Sequence, residues 1–205
     1  MRITNVFILL LWIASVSDSQ HRWPIDQYSH QITLYESRVV KASTKETPTI
    51  NRDTVGPIHL NQTLAEFERR CKHVIYGWNG GDEGIFVPVG FIKFGQGTFL
   101  VEFSDTLMSS TITRISSRSS CVKTIEGVGP GSPFKDLTKA FGKPHFGSAE
   151  CVLFVWFDMK PNLSFRLNLN RQVDCGDLEK FNEEKPPDPP PGTKVDEIIV
   201  VSHKY

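Results

Sequence analysis

The residues LSFRLNL (163–169) alternate without a break. Leu163, Phe165, Leu167 and Leu169 fall on one side, and Ser164, Arg166 and Asn168 on the other. A period of two marks a half-buried strand. TFLVEF (98–103) has the same pattern, with Phe99, Val101 and Phe103 inward. IFVPVGFIKF (85–94), TITRISS (111–117) and VDEIIVVS (195–202) read as further strands. ECVLFVWFD (150–158) differs. Cys151, Leu153, Val155 and Phe157 take one side, and Val152, Phe154 and Trp156 the other, so both faces are apolar. A sheet with one solvated face should alternate. The second face of this strand is therefore expected to lie under an N-terminal arm or to meet a partner.

A helical pattern occurs twice. When the chain is shifted by 70 residues, IHLNQTLAEFERRC (58–71) falls on VGPGSPFKDLTKAF (128–141). Ile58 meets Val128, Leu64 meets Phe134, Glu66 meets Asp136, Phe67 meets Leu137 and Cys71 meets Phe141. Apolar positions at i, i+3 and i+7 make the stripe of a short amphipathic helix. Strand-like runs follow each copy. The pattern predicts an α+β chain of two tandem repeats, each a short helix followed by a three- to four-stranded antiparallel sheet. Repeat 1 spans 55–124 and repeat 2 spans 125–205. A Pro-rich insertion at 183–193 precedes the last strand. Five of its residues 186–191 are proline, which imposes an extended polyproline path. It reads as a stiff surface loop, with a ligand for a proline-binding groove as the alternative. Residues 20–54, with β-like runs ITLY (32–35) and RVVKA (38–42), read as an N-terminal arm.

The glycines of GVGPGSPFKDLTKAFGKP (127–144) invite a phosphate-loop reading that fails on spacing. A dinucleotide fingerprint needs a third glycine where Ser132 stands, and Pro130 removes an amide. Gly142-Lys143 is followed by Pro144, which breaks a Walker pattern. The first copy has His59 and Asn61 where the second has Gly129 and Gly131, so the glycines are expected to serve a turn. Ser132 then reads as N-cap with Pro133 at N1, and Gly142 as C-cap. Thr63 and Glu66 have capping-box spacing.

The chain opens MRITNVFILLLWIASVSDSQ, with Arg2, an apolar run from Val6 to Ala14 and small residues after it. Residues 1–19 read as a secretory signal peptide, and no second run approaches the length of a membrane span. The mature chain is expected to be secreted or extracellular, or periplasmic in a diderm bacterium. About 185 residues would remain, enough for one core or two small ones. An exported chain with four cysteines implies two disulfides. The favoured pairing is Cys71–Cys121 and Cys151–Cys175. Asn61 and Asn162 head glycosylation sequons, relevant in a eukaryotic secretory pathway. With 23 basic and 23 acidic residues there is no long-range field for nucleic acid or an anionic membrane.

No motif carries chemistry strongly. Cys-x-x-Cys, His-x-x-x-His and G-x-S-x-G are all missing, so no metal or cofactor is expected and the chain leans away from being an enzyme. Binding reads better. Tyr76 and Trp78 after the first helix, and His145 and Phe146 after the second, are expected as loop aromatics on a binding surface with Trp156. An alternative is that they fold back onto the core.

The helix segments VGPIHLNQTLAEF (55–67) and GVGPGSPFKDLTKAFGKP (127–144), with the strands after them, resemble the β-lactamase-inhibitor-protein-like fold. More distantly they resemble small outer-membrane lipoproteins of the SmpA/OmlA type. Those families usually have a Gly-Met-Thr turn, where this chain has Asn61-Gln62-Thr63 and Gly131-Ser132-Pro133. The resemblance covers roughly residues 55–202. It implies proteins that bind other proteins across the sheet and loops, without catalysis. The leading reading is an exported protein-binding module, an inhibitor of a secreted or envelope protein being one form of it. Two others stay open: a small secreted hydrolase using His73, Asp82 and Glu83, and a structural envelope protein without a discrete ligand.

Overall fold

The computed structural model describes residues 48–80, 86–149, 151–169, 174–184 and 186–202. The expected signal peptide, the arm before Pro48, and Asp82 and Glu83 lie outside the described residues. The fold is α+β. Short strands β1 (Thr49–Asn51), β2 (Thr54–Val55) and β3 (Ile58–His59) lead to helix α1 (Leu64–Arg70). Strands β4 (Ile75–Gly80), β5 (Phe86–Phe94), β6 (Gly97–Phe103) and β7 (Ile112–Ser117) follow, then β8 (Lys123–Thr124) and helix α2 (Phe134–Phe141). After α2 come β9 (His145–Ala149), β10 (Val152–Trp156), β11 (Leu163–Asn168), a 3-10 segment (Cys175–Asn182) and β12 (Lys194–Val201).

Both helices start later than the apolar stripe suggests. Ile58 and His59 belong to β3, and α1 begins after Thr63, whose hydroxyl accepts the Glu66 N–H while Glu66 accepts the Thr63 N–H. That is the expected capping box. In α2 the N-cap is Pro133, not Ser132, and no side chain caps it. The Ser132 hydroxyl instead accepts the Gly129 N–H at 3.1 Å. Its carbonyl accepts from the Val195 N–H, so the chain at Ser132 is held extended. Gly142 takes φ 87° at the C-cap, as the sequence implies.

The chain approaches both helices alike. Asn61 and Gly131 have φ of 62° and 84°. Asn61 N–H donates to Ile112 O as Gly131 N–H donates to Val195 O. Ile112 N–H donates to Gln62 O as Val195 N–H donates to Ser132 O. Leu64 N–H donates to Ser110 O as Phe134 N–H donates to Thr193 O.

The strands after the helices do not form two small sheets. They join in one eight-stranded antiparallel sheet ordered β4-β5-β6-β7-β12-β11-β10-β9. β7 and β12 meet at its centre, with Ile115 opposite Val200 and Ser116 opposite Ile199. Apart, each would be an open edge with unpaired backbone groups; together, Ile115, Ile198 and Val200 continue one core. A separate four-stranded sheet, β3-β2-β1-β8, sits beside it.

The inward residues of the large sheet pack against the helices. Phe67 of α1 meets Phe103 edge-on at 5.4 Å. Phe141 of α2 lies 5.3 Å from Phe157 and 5.7 Å from Phe165. Gly90 leaves room for the Phe67–Phe103 contact: a Cβ there would stand 3.4 Å from Phe103 and 3.6 Å from Phe67. The expected Cys151–Cys175 bridge is present, while Cys71 and Cys121 are free, which corrects the pairing read for them. Cys71 closes α1 with its side chain buried in the core, and Cys121 is half-buried against that core. Packing rather than a bridge closes this half.

Candidate functional site

The face of the large sheet turned away from the helices carries one row across all eight strands. It runs Ile75, Phe91, Leu100, Ser116, Ile199, Ser164, Trp156, His145. Its ends are apolar or aromatic and its middle holds small residues and Ile199. Trp156 is 37% exposed, and the His145 ring stacks on it at 6.1 Å and 18°. His145 Nε2 lies 2.9 Å from Asp158 Oδ1.

A parallel row holds charge. In one half it reads Gly77, Val89, Glu102, Arg114. In the other it reads Gly147, Phe154, Arg166, Glu197. The acid and base exchange places between halves. Arg114 Nη1 lies 3.5 Å from Glu102 Oε1. Arg166 contacts Asp196 at 3.2 Å and Glu197 at 4.0 Å, and Arg118 Nε contacts Glu197 at 3.2 Å. Asn79 donates a further bond to Glu102 at 3.2 Å. Glu102 and Glu197 are both buried, and a buried carboxylate without a partner is strongly destabilising. Their cations let these two carboxylates sit buried within the sheet face.

Two glycines shape the aromatic ends. A Cβ on Gly147 would stand 3.0 Å from the Trp156 ring, and one on Gly77 3.9 Å from Phe91. Without side chains, these strands let the cross-strand ring lie over them.

The sequence-selected aromatics divide between faces. Tyr76, Trp78, His145 and Phe146 were expected in loops; they lie on β4 and β9. Tyr76, Trp78 and Phe146 pack against the core. The Tyr76 hydroxyl donates to Glu68 at 2.7 Å, and Phe146 sits between Phe134 and Phe181. His145 and Trp156 alone of the five share the outer face. The reason is the period of two: adjacent strand residues point to opposite sides. Sequence reading singles out Arg114 only within a basic patch with Arg118 and Lys123, read as a solvated strand edge, and gives Phe91, Leu100, Glu102 and Arg166 no binding role. The signal was present in the outward positions of the strands already recognised.

Of the remaining candidates, His73 is exposed in the turn from α1 to β4 with φ 59°. Asn61 is exposed and accepts a bond from the Ser202 hydroxyl at 3.0 Å, while Asn162 is half-buried in a turn before β11. Among the described residues no group of three or more His, Cys, Asp or Glu could hold a metal ion. No helix among them is long and apolar enough to cross a membrane.

Neither a protein-family model nor a curated protein matches the chain. The fold is similar to the crystal structure of the uncharacterized protein yfeY from Escherichia coli, with TM-score 0.54 and 17% identity over 75% of this chain and 99% of that one. At that identity the likeness concerns the fold alone.

Proposed function

We propose that the chain is an exported protein-binding module that grips a partner protein with the outer face of its eight-stranded sheet, as an inhibitor does. The observation that carries this is the row from Ile75 to His145, buried at Ser116 and Ile199 but exposed at Trp156, whose aromatic and apolar ends break the polar alternation expected of a solvated face. Exposed Trp beside paired charges is the composition of an interface anchor with a satisfied surround. The disulfide fits an oxidising compartment, and export follows from the signal-like N-terminus.

The same proposal reads the two halves as tandem repeats. Its support is the matched approach to each helix and the four strands that follow each. A further match is the irregularity in register at Glu102/Phe103 in one half and Arg166/Leu167 in the other.

The test is capture from the native extracellular or envelope fraction with immobilised protein. Loss of the captured partner on Trp156→Ala or Phe91→Ala, with the melting temperature kept, supports the reading. Unchanged capture by both variants sinks it.

A further inference from the structure

The 3-10 segment Cys175–Asn182 lies against β9, the last strand of the large sheet. Leu178 and Phe181 are buried beneath it, and the Phe181 ring is 5.6 Å from Phe146. The Asn182 side chain meets Ser148 twice. Its Oδ1 accepts the Ser148 N–H at 2.8 Å, and its Nδ2 donates to the Ser148 hydroxyl at 3.0 Å. A side-chain amide thus stands where the backbone of a neighbouring strand would bond. The Cys151–Cys175 bridge ties the start of the segment to the turn between β9 and β10.

The strand under this strap is HFGSA, with no Lys, Asp, Glu or Pro. Sheet edges usually carry such residues to repel other strands; here the strap takes their place. The Ser148 N–H points away from β10, toward Asn182. Strand alternation places the N–H and C=O of Phe146 on the same side. These positions are self-complementary about Gly147. In an antiparallel pair of two β9 strands, Phe146 of each copy faces Ser148 of the other, and no like charges oppose.

We propose that β9 is a latent self-association edge for a second copy of this chain, kept closed by a strap that the Cys151–Cys175 bridge latches. A dithiol reductant opens the latch. Its thiolate attacks one sulfur of the bridge and forms a mixed disulfide, and its second thiol releases the protein. Two electrons and two protons pass to Cys151 and Cys175, which end as thiols, and the reductant leaves as its own disulfide. The strap then lifts from Ser148, and two β9 edges pair.

The experiment is sedimentation velocity over a concentration series, with hydrogen exchange at residues 145–149. It uses the oxidised protein, the dithiothreitol-reduced protein and a Cys151→Ser/Cys175→Ser variant kept in reductant so that Cys71 and Cys121 stay thiols. The oxidised protein is expected to be monomeric. The reduced protein and the double variant are expected to dimerise reversibly, at least about tenfold more tightly. Adding Ser148→Pro removes an outward N–H while leaving the β10 ladder, and is expected to restore the monomer. In oxidised protein, Asn182→Ala is expected to speed exchange of the Ser148 amide without dimer formation, because the bridge and Phe181 still hold. A double variant that stays monomeric, a dimer undiminished by Ser148→Pro, or an unchanged Ser148 amide in Asn182→Ala each overturns the proposal.

Discussion

Gly129 and Gly131 sit two residues apart in the same turn, yet they answer to different constraints. A Cβ on Gly129 would stand 2.2 Å from the Val122 carbonyl oxygen and 3.3 Å from Lys123 Cα. Both are backbone atoms at the start of β8, which is held through Thr124 N–H to Val128 O at 2.8 Å and by pairing with β1. They cannot swing aside. Gly129→Ala is therefore expected to cost about 3 kcal/mol, the upper part of the overpacking range. For a domain of this size that lowers the melting temperature by roughly 6–12 °C. Gly131 has nothing within 4 Å of a Cβ, but its φ is 84°. Gly131→Ala is expected to cost about 1 kcal/mol of backbone strain alone. Gly131→Asn should cost less, because Asn tolerates positive φ and Asn61 adopts φ 62° in the matching turn. Urea unfolding of the three variants, with unchanged slope, gives the order Gly129→Ala, Gly131→Ala, Gly131→Asn from largest loss to smallest. A Gly129→Ala protein as stable as the parent would refute the steric reasoning. A Gly131→Asn protein weaker than Gly131→Ala would refute the matching of the two turns.

Thr63→Ala removes a capping box and should lower stability by about 1 kcal/mol in thermal or urea unfolding. The Glu66 carboxyl is held below its ordinary value of 4.5 by the Thr63 backbone N–H and then its hydroxyl. Its stabilisation is present above that value and is lost as pH falls through the lower folded one. Glu66→Gln should accordingly flatten the acid limb of a stability–pH curve, and an unchanged limb would count against the cap. Burial, partly offset by Arg70, pushes the Cys71 thiol up from 9.0 to about 11. The unfolded chain then loses its proton first, so stability should decline as pH rises between those values; Cys71→Ala, compared in slope rather than height, should remove that decline. Phe67→Ala is expected to cost about 3–5 kcal/mol by opening the contact with Phe103, measurable as a shift in urea midpoint.

Local pattern determined strands β5, β6, β7, β10, β11 and β12 and, through Thr63 and Glu66, the start of α1. The alternation in LSFRLNL and TFLVEF assigned Phe99, Val101, Phe103, Leu163, Phe165, Leu167 and Leu169 inward; the first six are buried and Leu169 packs half-buried against the core. The two-faced apolar run in CVLFVWF marked β10 as a strand with an unusual second face, and Phe154 and Trp156 lie there. Thr63 and Glu66 announced their helix because a capping box spans only four residues. Tertiary structure alone decided the rest, because it depends on partners distant in sequence. Nothing local says that β7 pairs with β12, so two expected small sheets became one and their outer faces merged into a single surface. Nothing local says which sulfurs meet: cysteine count pairs Cys71 with Cys121, and both are free thiols. The sequence leaves Tyr76 and Trp78 open between a binding surface and the core, and they pack on the core, because a strand's facing is fixed only when its register against β5 is known.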